Sequence, residues 1–345
     1  MDDILISEIL EQPAVVRQLI AEELPNIQKI TKTLKEKFKY IVIAARGTSD
    51  NAARYAQYVL GAFNHIQVAL ATPSLFTIYN SPPDLSDALV VGISQSGQSP
   101  DIVAVLEEAR KQNRPTLCIT NEDKSPLAEA AEFLFPLHTG KEKAVAATKT
   151  YTASLAAIAL FSSCLTNDDT RLDEIRHMSE KLDKVLEDAL SIVKNTERYR
   201  YIDHCVVLGR GFNYSTAFEV ALKVKELTRV VTVPYSSADF KHGPIATIQK
   251  GFPVIVISSS GRMGDHIDEF TVKVMAMGAE LIVISDQDSL LEKSRLGFRM
   301  AAGIPEWLSP IANVLPGQLF ARQLALEKGL NIDRPEGITK VTETF

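Results

Sequence analysis

Short apolar runs alternate along the whole chain with longer stretches of helical periodicity. Each run is apolar at consecutive positions rather than at alternate ones, which is typical of a strand buried on both faces of a parallel sheet. The helical stretches between the runs would cover the two faces of such a sheet. The pattern therefore predicts an α/β fold, with strands at residues 40–45, 88–93, 115–119, 205–209, 253–258 and 280–284.

The second half of the chain repeats landmarks of the first half at a nearly constant spacing. Three pairs of segments match: Arg46-Gly47 with Arg210-Gly211, 94–97 with 258–261, and 119–121 with 284–286. The first two pairs are offset by 164 residues (210 − 46 and 258 − 94), and the third by 165 (284 − 119). Landmarks in register over half a chain indicate a duplicated domain. We expect two tandem parallel sheets, each flanked by helices.

The same pattern suggests where the domains begin and end. The region between them is charged and amphipathic, and its apolar stripe is predicted to face the core. The last residues carry few large apolar side chains, which is typical of a flexible tail. The expected organisation is an N-terminal helical segment (1–30), a first domain (31–167), a linker helix (168–194), a second domain (195–330) and a tail (331–345).

The segment that follows the second predicted strand has the features of a phosphate-binding loop. It carries Ser94, Ser96 and Ser99, and then Pro100, which suits the first turn of a helix because no backbone N–H is needed there. A helix N-terminus presents unpaired N–H groups and a partial positive charge, and the hydroxyls add donors. The loop fits neither the P-loop nor the dinucleotide pattern. An ordinary turn with Ser99 as N-cap and no ligand is the alternative.

The equivalent loop of the second half differs in its chemistry. It continues as Arg262-Met263-Gly264 instead of keeping the serines. We therefore expect one phosphate site in each chain rather than two.

A second group of candidate residues lies in the duplicate half. Residues 217–227 are predicted to be helical, and Glu219, Lys223 and Glu226 then share one face of the helix. A solvated row of ion pairs is the alternative. His242, held by a following Gly-Pro turn, has a side chain suited to proton transfer near neutral pH, although a surface histidine would look the same.

Composition narrows the class of protein. The net charge of −6 argues against a nucleic-acid surface, and no basic run stands out. The most apolar helical stretch, 153–165, is too short and too rich in serine to cross a bilayer, and Asp2-Asp3 is unlike the start of a signal peptide. The three cysteines lack metal-ligand spacing. We expect a cytoplasmic enzyme that does not bind membranes or nucleic acids and needs no metal or other cofactor.

Seven motifs in order carry a resemblance to a known family. The chain resembles the tandem SIS (sugar isomerase) domain proteins, namely the isomerase half of glucosamine-6-phosphate synthase and, more closely, the stand-alone SIS-type glucosamine-6-phosphate deaminases. The resemblance covers nearly the whole chain and implies two five-stranded, flavodoxin-like domains. Its motifs are E-I-L-E-Q-P (8–13), R-G-T-S (46–49), S-Q-S-G-Q-S (94–99), A-A-T-K (146–149), A-L-K-V-K-E (221–226), K-H-G-P (241–244) and I-T-K-V-T (338–342).

The resemblance implies a role for each candidate residue. Glu226 would carry a proton between the first two sugar carbons, His242 would open the sugar ring, and Lys340 would stabilise the charge of the enolamine intermediate from a tail that covers the site. Lys223 would lie near the base. The family also implies a homodimer in which His242 reaches the partner's site. The hexose 6-phosphate would be bound by Arg46, Gly47, Thr48, Ser49, Ser94, Gln95, Ser96, Ser99, Val145 and Ala147.

Two positions depart from the synthase pattern. Arg46 replaces a cysteine and Ala147 replaces a serine that would contact the sugar, so the substrate preference is open. Only seven residues precede Glu8, so we expect no glutaminase nucleophile and no ammonia from glutamine.

The reaction that we predict is release of ammonia from glucosamine 6-phosphate to give fructose 6-phosphate. Three alternatives remain: a deglycase acting on an amine-linked fructose 6-phosphate, a synthase subunit that receives ammonia from a partner, and a catalytically silent sensor of sugar phosphates. A sensor would need the serine loop, but it has no use for Glu226, His242 and Lys340 together.

Overall fold

The computed structural model describes residues 3–340 and divides them into two compact units, each built around one parallel sheet. The described residues of the first unit are 14–142, 149–177 and 339–340, and those of the second unit are 3–13, 143–148 and 178–338.

The first unit contains a five-stranded parallel sheet with the order β2-β1-β3-β4-β5. Its central strand β3 is buried at every position, as expected from a continuously apolar run with a helix layer on each face. The register places Val42 of β1 opposite Val90 of β3, and Val91 of β3 opposite Leu117 of β4. The strands are β1 (Tyr40–Ala44), β2 (Gln67–Leu70), β3 (Ala88–Ser94), β4 (Thr116–Thr120) and β5 (Phe133–Pro136).

The second unit repeats this topology. Its sheet has the order β10-β9-β8-β6-β7, which is the order of the first sheet with each strand number raised by five and read from the other edge. The predicted duplication and the α/β class are therefore confirmed. The strands are β6 (His204–Gly209), β7 (Val231–Ser236), β8 (Pro253–Ile257), β9 (Glu280–Ser285) and β10 (Leu296–Arg299).

Helices connect the strands and cover the sheets. They are α1 (Ile4–Leu10), α2 (Gln12–Leu34), α3 (Gly47–Asn64), α4 (Pro73–Thr77), α5 (Pro100–Lys111), α6 (Pro126–Ala130), α7 (Lys149–Leu165), α8 (Asp169–Arg176), α9 (Met178–Ile192), α10 (Asn213–Thr228), α11 (Ser237–Phe240), α12 (Gly264–Ala276), α13 (Asp288–Leu291) and α14 (Ser309–Glu327). Short 3-10 turns occupy 193–199, 244–247 and 306–308. No helix within residues 3–340 combines the length and the apolar character that crossing a membrane would require.

The predicted single linker helix is two helices. Asp168 caps α8 by accepting a hydrogen bond from the N–H of Arg171 at 3.0 Å, and the helix ends at His177 before α9 begins. The apolar side chains expected to face the core, such as Leu172 and Leu182, are buried. Each helix therefore buries its own apolar side chains.

Two helices of the second unit pack unusually closely. Gly317 of α14 lies against Val220 of α10, and a Cβ at residue 317 would overlap the valine side chain. A glycine is needed here because it lets the backbone of one helix approach the side chains of the other. The consequence is that α10, which carries Glu219, Lys223 and Glu226, is held tightly against α14.

Candidate active site

The predicted phosphate loop of the first unit connects β3 to α5. β3 ends at Ser94, and α5 begins at Pro100. The loop lies at the carboxyl edge of the sheet, next to the place where the strand order reverses between β1 and β3. Open parallel sheets bind their ligands at this place.

Internal hydrogen bonds shape the loop. The hydroxyl of Ser94 accepts the N–H of Gly97 at 3.1 Å, and the hydroxyl of Ser96 accepts the N–H of Gln98 at 3.3 Å. Gly97 has a φ of +62°, and a Cβ at this position would overlap the Ser125 side chain. Glycine is therefore required for the turn.

Several donors of the loop are left for a ligand. Within residues 3–340, the N–H groups of Ser96 and Ser99 have no acceptor. Ser99 occupies the N-cap position of α5, yet its hydroxyl accepts no hydrogen bond from that helix. A serine that served only as a cap would accept such a bond. The arrangement therefore suits an anion at the helix N-terminus.

The neighbouring strand contributes a second helix start. β1 is followed by Arg46, and α3 begins at Gly47, so that Thr48 and Ser49 lie in its first turn. The guanidinium of Arg46 is paired with Asp101 in the first turn of α5, with Nε and Nη2 at 2.8 and 2.7 Å from Oδ2. Arg46 is half exposed and Asp101 is completely buried. This ion pair fixes a positive group beside the serine loop.

We expect the replacement of Arg46 by alanine to lower the free energy of unfolding by about 3 kcal/mol, because a fully buried carboxylate then loses its charge partner. The double variant Arg46→Ala/Asp101→Asn should recover part of this loss, since no buried charge remains. Urea unfolding followed by circular dichroism measures both. Equal losses in the single and the double variant would show that the ion pair does not stabilise the fold.

Lys340 lies in the first unit with a partner that sequence reasoning missed. Its Nζ is 2.8 Å from Oε2 of Glu142, a carboxylate with no exposed side-chain surface. Glu142 also accepts the N–H and the hydroxyl of Thr150, at 3.1 and 2.9 Å, in the first turn of α7. The helix N-terminus stabilises this negative charge. Glu142 therefore fixes the position of the Lys340 ammonium group.

Val145 and Ala147 lie in the segment 143–148 of the second unit. Glu8 of α1 holds this segment in place through hydrogen bonds. The Glu8 carboxylate accepts the N–H groups of Lys143 and Ala144, at 2.5 and 3.3 Å. The N–H of Val145 donates to the carbonyl oxygen of Asp333 at 3.4 Å. These bonds connect the segment 143–148 to α1 and to residue 333.

Glu219, Lys223 and Glu226 form a buried charge cluster on α10. Lys223 is 1% exposed, and its Nζ lies 2.5 Å from Glu226 and 3.4 Å from Glu219. A solvated row of ion pairs, the alternative drawn from the sequence, does not describe this arrangement. Two carboxylates therefore share one buried ammonium group.

Glu226 is the member of this cluster that reaches open space. Its side chain is 24% exposed and lines a pocket of about 220 Å³ in the second unit. The other walls come from the end of α10 and from residues 329–336, including Asn331 and Glu336. A carboxylate that a buried ammonium group holds at the wall of a pocket can act as a general base.

His242 is exposed and lies two residues after the end of α11. Its N–H donates to the carbonyl oxygen of Asp239 at 3.0 Å, and Gly243 follows with a φ of +133°. The turn therefore presents the imidazole on the surface of the second unit.

The start of the predicted flexible tail is anchored. Ile332 is buried, and the Asp333 carboxylate accepts the N–H groups of Ile4 and Leu5, at 3.2 and 3.1 Å. These bonds cap the first turn of α1, so residues 332 and 333 are part of the second unit rather than a free tail. Residues 341–345 of the predicted tail lie outside the described residues.

Comparison with known proteins places these features in a family. The model of the SIS domain matches residues 36–163 and again residues 199–328. The chain belongs to the SIS domain family. Each match contains one of the two sheets, so the tandem SIS organisation expected from the seven motifs is confirmed.

The chain spans a little over half the length of the curated relatives that it matches, and nearly the full length of several solved structures. The glutamine–fructose-6-phosphate aminotransferase of Pyrococcus horikoshii is 32% identical over 97% of this chain, and the match spans 57% of that relative. The solved C-terminal domain of glucosamine-fructose-6-phosphate aminotransferase from Francisella tularensis is 28% identical, with a TM-score of 0.88 and coverage of 97% of this chain and 99% of that one. The tagatose-6-phosphate ketose/aldose isomerase of Escherichia coli shares the fold, with a TM-score of 0.84, 20% identity and coverage of 98% and 96%.

The predicted site residues fall into two sets, one in each SIS unit. The first unit holds Arg46, Gly47, Thr48, Ser49, Ser94, Gln95, Ser96, Ser99 and Lys340, and the second holds Val145, Ala147, Lys223, Glu226 and His242. Sequence reasoning missed Glu8, Asp101 and Glu142, which position members of these sets. The only sequence feature that could have identified these three residues is their position in or near the quoted motifs.

Among residues 3–340, no group of three or more His, Cys, Asp or Glu side chains is arranged to hold a metal ion.

Proposed function

We propose that this protein binds a hexose 6-phosphate at the serine loop and converts glucosamine 6-phosphate into fructose 6-phosphate and ammonia. The observation that supports this most directly is the Glu226 carboxylate, which buried Lys223 holds at the wall of a pocket. A protein that only sensed sugar phosphates would not need a carboxylate prepared in this way. The names of the relatives, which act on fructose 6-phosphate, also support a phosphosugar substrate.

The phosphate would fix the substrate far from the reacting carbons. The free N–H groups of Ser96 and Ser99 and the hydroxyls of the loop donate to it, and the helix N-terminus stabilises its charge. Binding energy from this remote group then holds the open-chain sugar in register for proton transfer. The first turn of α3, with Thr48 and Ser49, would contact the sugar from the neighbouring strand.

The proposed reaction has three steps. His242 takes the proton of the anomeric hydroxyl and returns one to the ring oxygen, which opens the ring. Glu226 removes the proton from the second carbon and delivers it to the first, so the aldehyde with its neighbouring amine becomes, through an enolamine, a 2-imine. Water then adds to the C=N bond and ammonia leaves, giving the ketone.

Lys340 would stabilise the charge of the enolamine. Its ammonium group is already held by Glu142, so it needs no further ordering to act. We also propose a homodimer in which His242 serves the partner's site. The exposed position of His242 supports this proposal, because the side chain is presented on the surface of its unit.

The same groups could run the reaction in the opposite direction, from fructose 6-phosphate and ammonia. This second candidate is favoured by the aminotransferases among the relatives. A deaminase and an ammonia-dependent synthase would catalyse the same reversible reaction and would differ in which direction predominates.

A panel assay tests the proposed function. Purified protein is incubated with glucosamine 6-phosphate, fructosamine 6-phosphates, and fructose 6-phosphate plus ammonia, and both ammonia and fructose 6-phosphate are followed. We expect turnover of glucosamine 6-phosphate. Tight binding of the panel without turnover of any member would contradict an enzymatic role.

Substitution of one serine tests the phosphate site. Ser96→Ala should weaken binding of glucosamine 6-phosphate by about 1 to 3 kcal/mol, the range for hydrogen bonds to charged groups. Isothermal titration calorimetry measures the change, and Ser191→Ala, at an exposed serine of the second unit, is the matched control. Unphosphorylated glucosamine should bind all three proteins equally poorly. Unchanged affinity of Ser96→Ala for the phosphorylated sugar would refute the assignment.

A further inference from the structure

His138 of the first unit lies between two carboxylates of another element. The residue follows β5, and its ring contacts α2. Its Nδ1 is 3.0 Å from Oε2 of Glu22, and its Nε2 is 2.6 Å from Oε1 of Glu23. The Glu23 side chain is 8% exposed, whereas Glu22 is about half exposed. The ring therefore joins the segment after β5 to α2 at two points.

The two carboxylates have no other charged partner in the described part of the chain. Glu22 accepts a hydrogen bond from the Gln18 side chain at 2.8 Å, and Glu23 accepts one from Asn26 at 2.6 Å. Asn26 also donates to the carbonyl oxygen of Leu134 in β5 at 3.2 Å. Among residues 3–340, the imidazole is thus the one positive partner that this pair of carboxylates can have.

Hydrogen bonds to both carboxylates require a doubly protonated ring. A carboxylate only accepts, so each ring nitrogen must carry a hydrogen. A neutral imidazole has one N–H, and its other nitrogen would turn a lone pair toward the second carboxylate. Because an imidazole is a stronger base than a carboxylate, the proton belongs to the ring. Lys141, the nearest cation in the sequence, forms no ion pair or side-chain hydrogen bond within residues 3–340 and does not replace the ring.

The backbone of His138 is in the left-handed region, with a φ of +51°. A residue other than glycine adopts this conformation at a cost, and the surrounding structure must hold it there. Contacts at both ring nitrogens contribute to that hold. Loss of one contact should therefore let the segment relax.

The segment 138–142 leads from this ring to the carboxylate that binds Lys340. Thr139 donates its N–H and its hydroxyl to the Asn121 side chain, at 3.0 and 2.8 Å, so the segment is also held from the end of β4. Glu142 follows His138 by four residues and pairs with Lys340 at 2.8 Å. The position of the lysine thus depends on a short segment that the ring holds at one end.

We propose that protonated His138 holds the segment 138–142 against α2 and thereby positions Glu142 and Lys340, so that this part of the site is ordered at low pH and loosens as the pH rises. The sign follows from the contacts, because two carboxylates favour the charged ring in the folded state. The stabilisation is present while the ring is protonated and is lost when the proton leaves. His138 is a positioning residue, and its effect on turnover rests on the function proposed above for Lys340.

Two variants separate the proton from the side chain. His138→Asn keeps a donor and suits the left-handed backbone, but its charge does not change with pH. In Glu22→Gln, a neutral ring can donate to Glu23 and accept from the new amide, so both contacts survive loss of the proton. The matched control is His65→Asn, because His65 is exposed, has a φ of +54° and has no side-chain partner among residues 3–340.

Hydrogen–deuterium exchange measured by mass spectrometry tests the hold on the segment without a substrate. Each variant is compared with the wild type at about pH 6 and at about pH 8.5, on either side of the range in which imidazoles change charge. At the lower pH, the amides of 138–142 should exchange about tenfold faster in His138→Asn, the effect of losing a hydrogen bond to a charged group. At the higher pH the two proteins should be alike. Glu22→Gln should be protected at both values, and His65→Asn should match the wild type.

Turnover of glucosamine 6-phosphate gives a second readout. The ratio of kcat between the wild type and His138→Asn should be about tenfold at the lower pH, because Lys340 is then misplaced only in the variant. The ratio should approach one at the higher pH. Titration of His242 or Glu226 cancels in this ratio, since both proteins contain them.

Equal protection of 138–142 in the wild type and His138→Asn at the lower pH would overturn the proposal. A loss of protection of the same size at both pH values would do so as well, because it describes a purely structural residue. If His138→Asn does not fold, Glu22→Gln decides alone: it should be better protected than the wild type at the higher pH, and equal protection would contradict the proposal.

The two readouts keep this proposal separate from the proposed function. A kcat ratio that does not change with pH, together with the expected exchange result, would overturn the connection to Lys340. A wild-type protein without turnover would refute the proposed function, and the exchange experiment would still show whether the hold on the segment depends on the proton.

Discussion

Glu226→Gln is expected to lower kcat for glucosamine 6-phosphate by about a hundredfold or more, the effect of losing a general base. The substitution keeps the shape of the side chain and leaves Lys223 paired with Glu219, so the fold should be retained. KM should change little if, as proposed, the serine loop and not Glu226 provides the binding energy. Steady-state kinetics with coupled detection of fructose 6-phosphate measures both constants.

The matched control for this variant is Glu336→Gln. Glu336 lines the same pocket as Glu226, but its side chain is 81% exposed and pairs with Arg229. The same chemical change there should alter kcat by no more than about twofold, as is usual for surface substitutions. Comparable losses in the two variants would indicate an effect of pocket charge rather than of a base.

Lys340→Gln is the second variant with a large expected effect. If Lys340 stabilises the enolamine, kcat should fall by about a hundredfold, as when a donor to a developing negative charge is removed. Affinity for the phosphorylated sugar should remain, since the serine loop is unchanged. Single-turnover kinetics separates the chemical step from product release.

A neighbouring lysine provides the control for Lys340. Lys143 follows Glu142 directly in the chain and is exposed, and Lys143→Gln should leave kcat unchanged. Glu142→Gln should give an intermediate loss, because Lys340 keeps its charge but loses the carboxylate that positions it. Full activity of Lys340→Gln would remove the lysine from the mechanism.

Sequence patterns were sufficient for the strands that contain a continuous apolar run. The six predicted runs correspond to β1, β3, β4, β6, β8 and β9 within a residue or so at each end. Edge strands such as β2 and β10 are short and only partly buried, so they lack the continuous apolar run that identifies a central strand. The total of five strands in each sheet was expected from the family resemblance and not from the apolar runs.

Site residues could be predicted where several of them lie together in a sequence motif. Residues that join the site only through tertiary contacts could not be predicted. The serine loop and the charged face of α10 could be read from spacing. Asp101 and Glu142 could not, because each acts through a partner that folding brings near it, namely Arg46 and Lys340. An isolated acidic residue in a sequence has no pattern that distinguishes it from a solvated one.

The close approach of α10 and α14 limits the motion of α10. With Gly317 pressed against Val220, any separation of the two helices would expose side chains that are now buried on both. Local opening of this pair therefore costs a large part of the stability of the unit, and the backbone amides of α10 should be among the last to exchange with solvent deuterium. The helix that carries Glu226 is a rigid support.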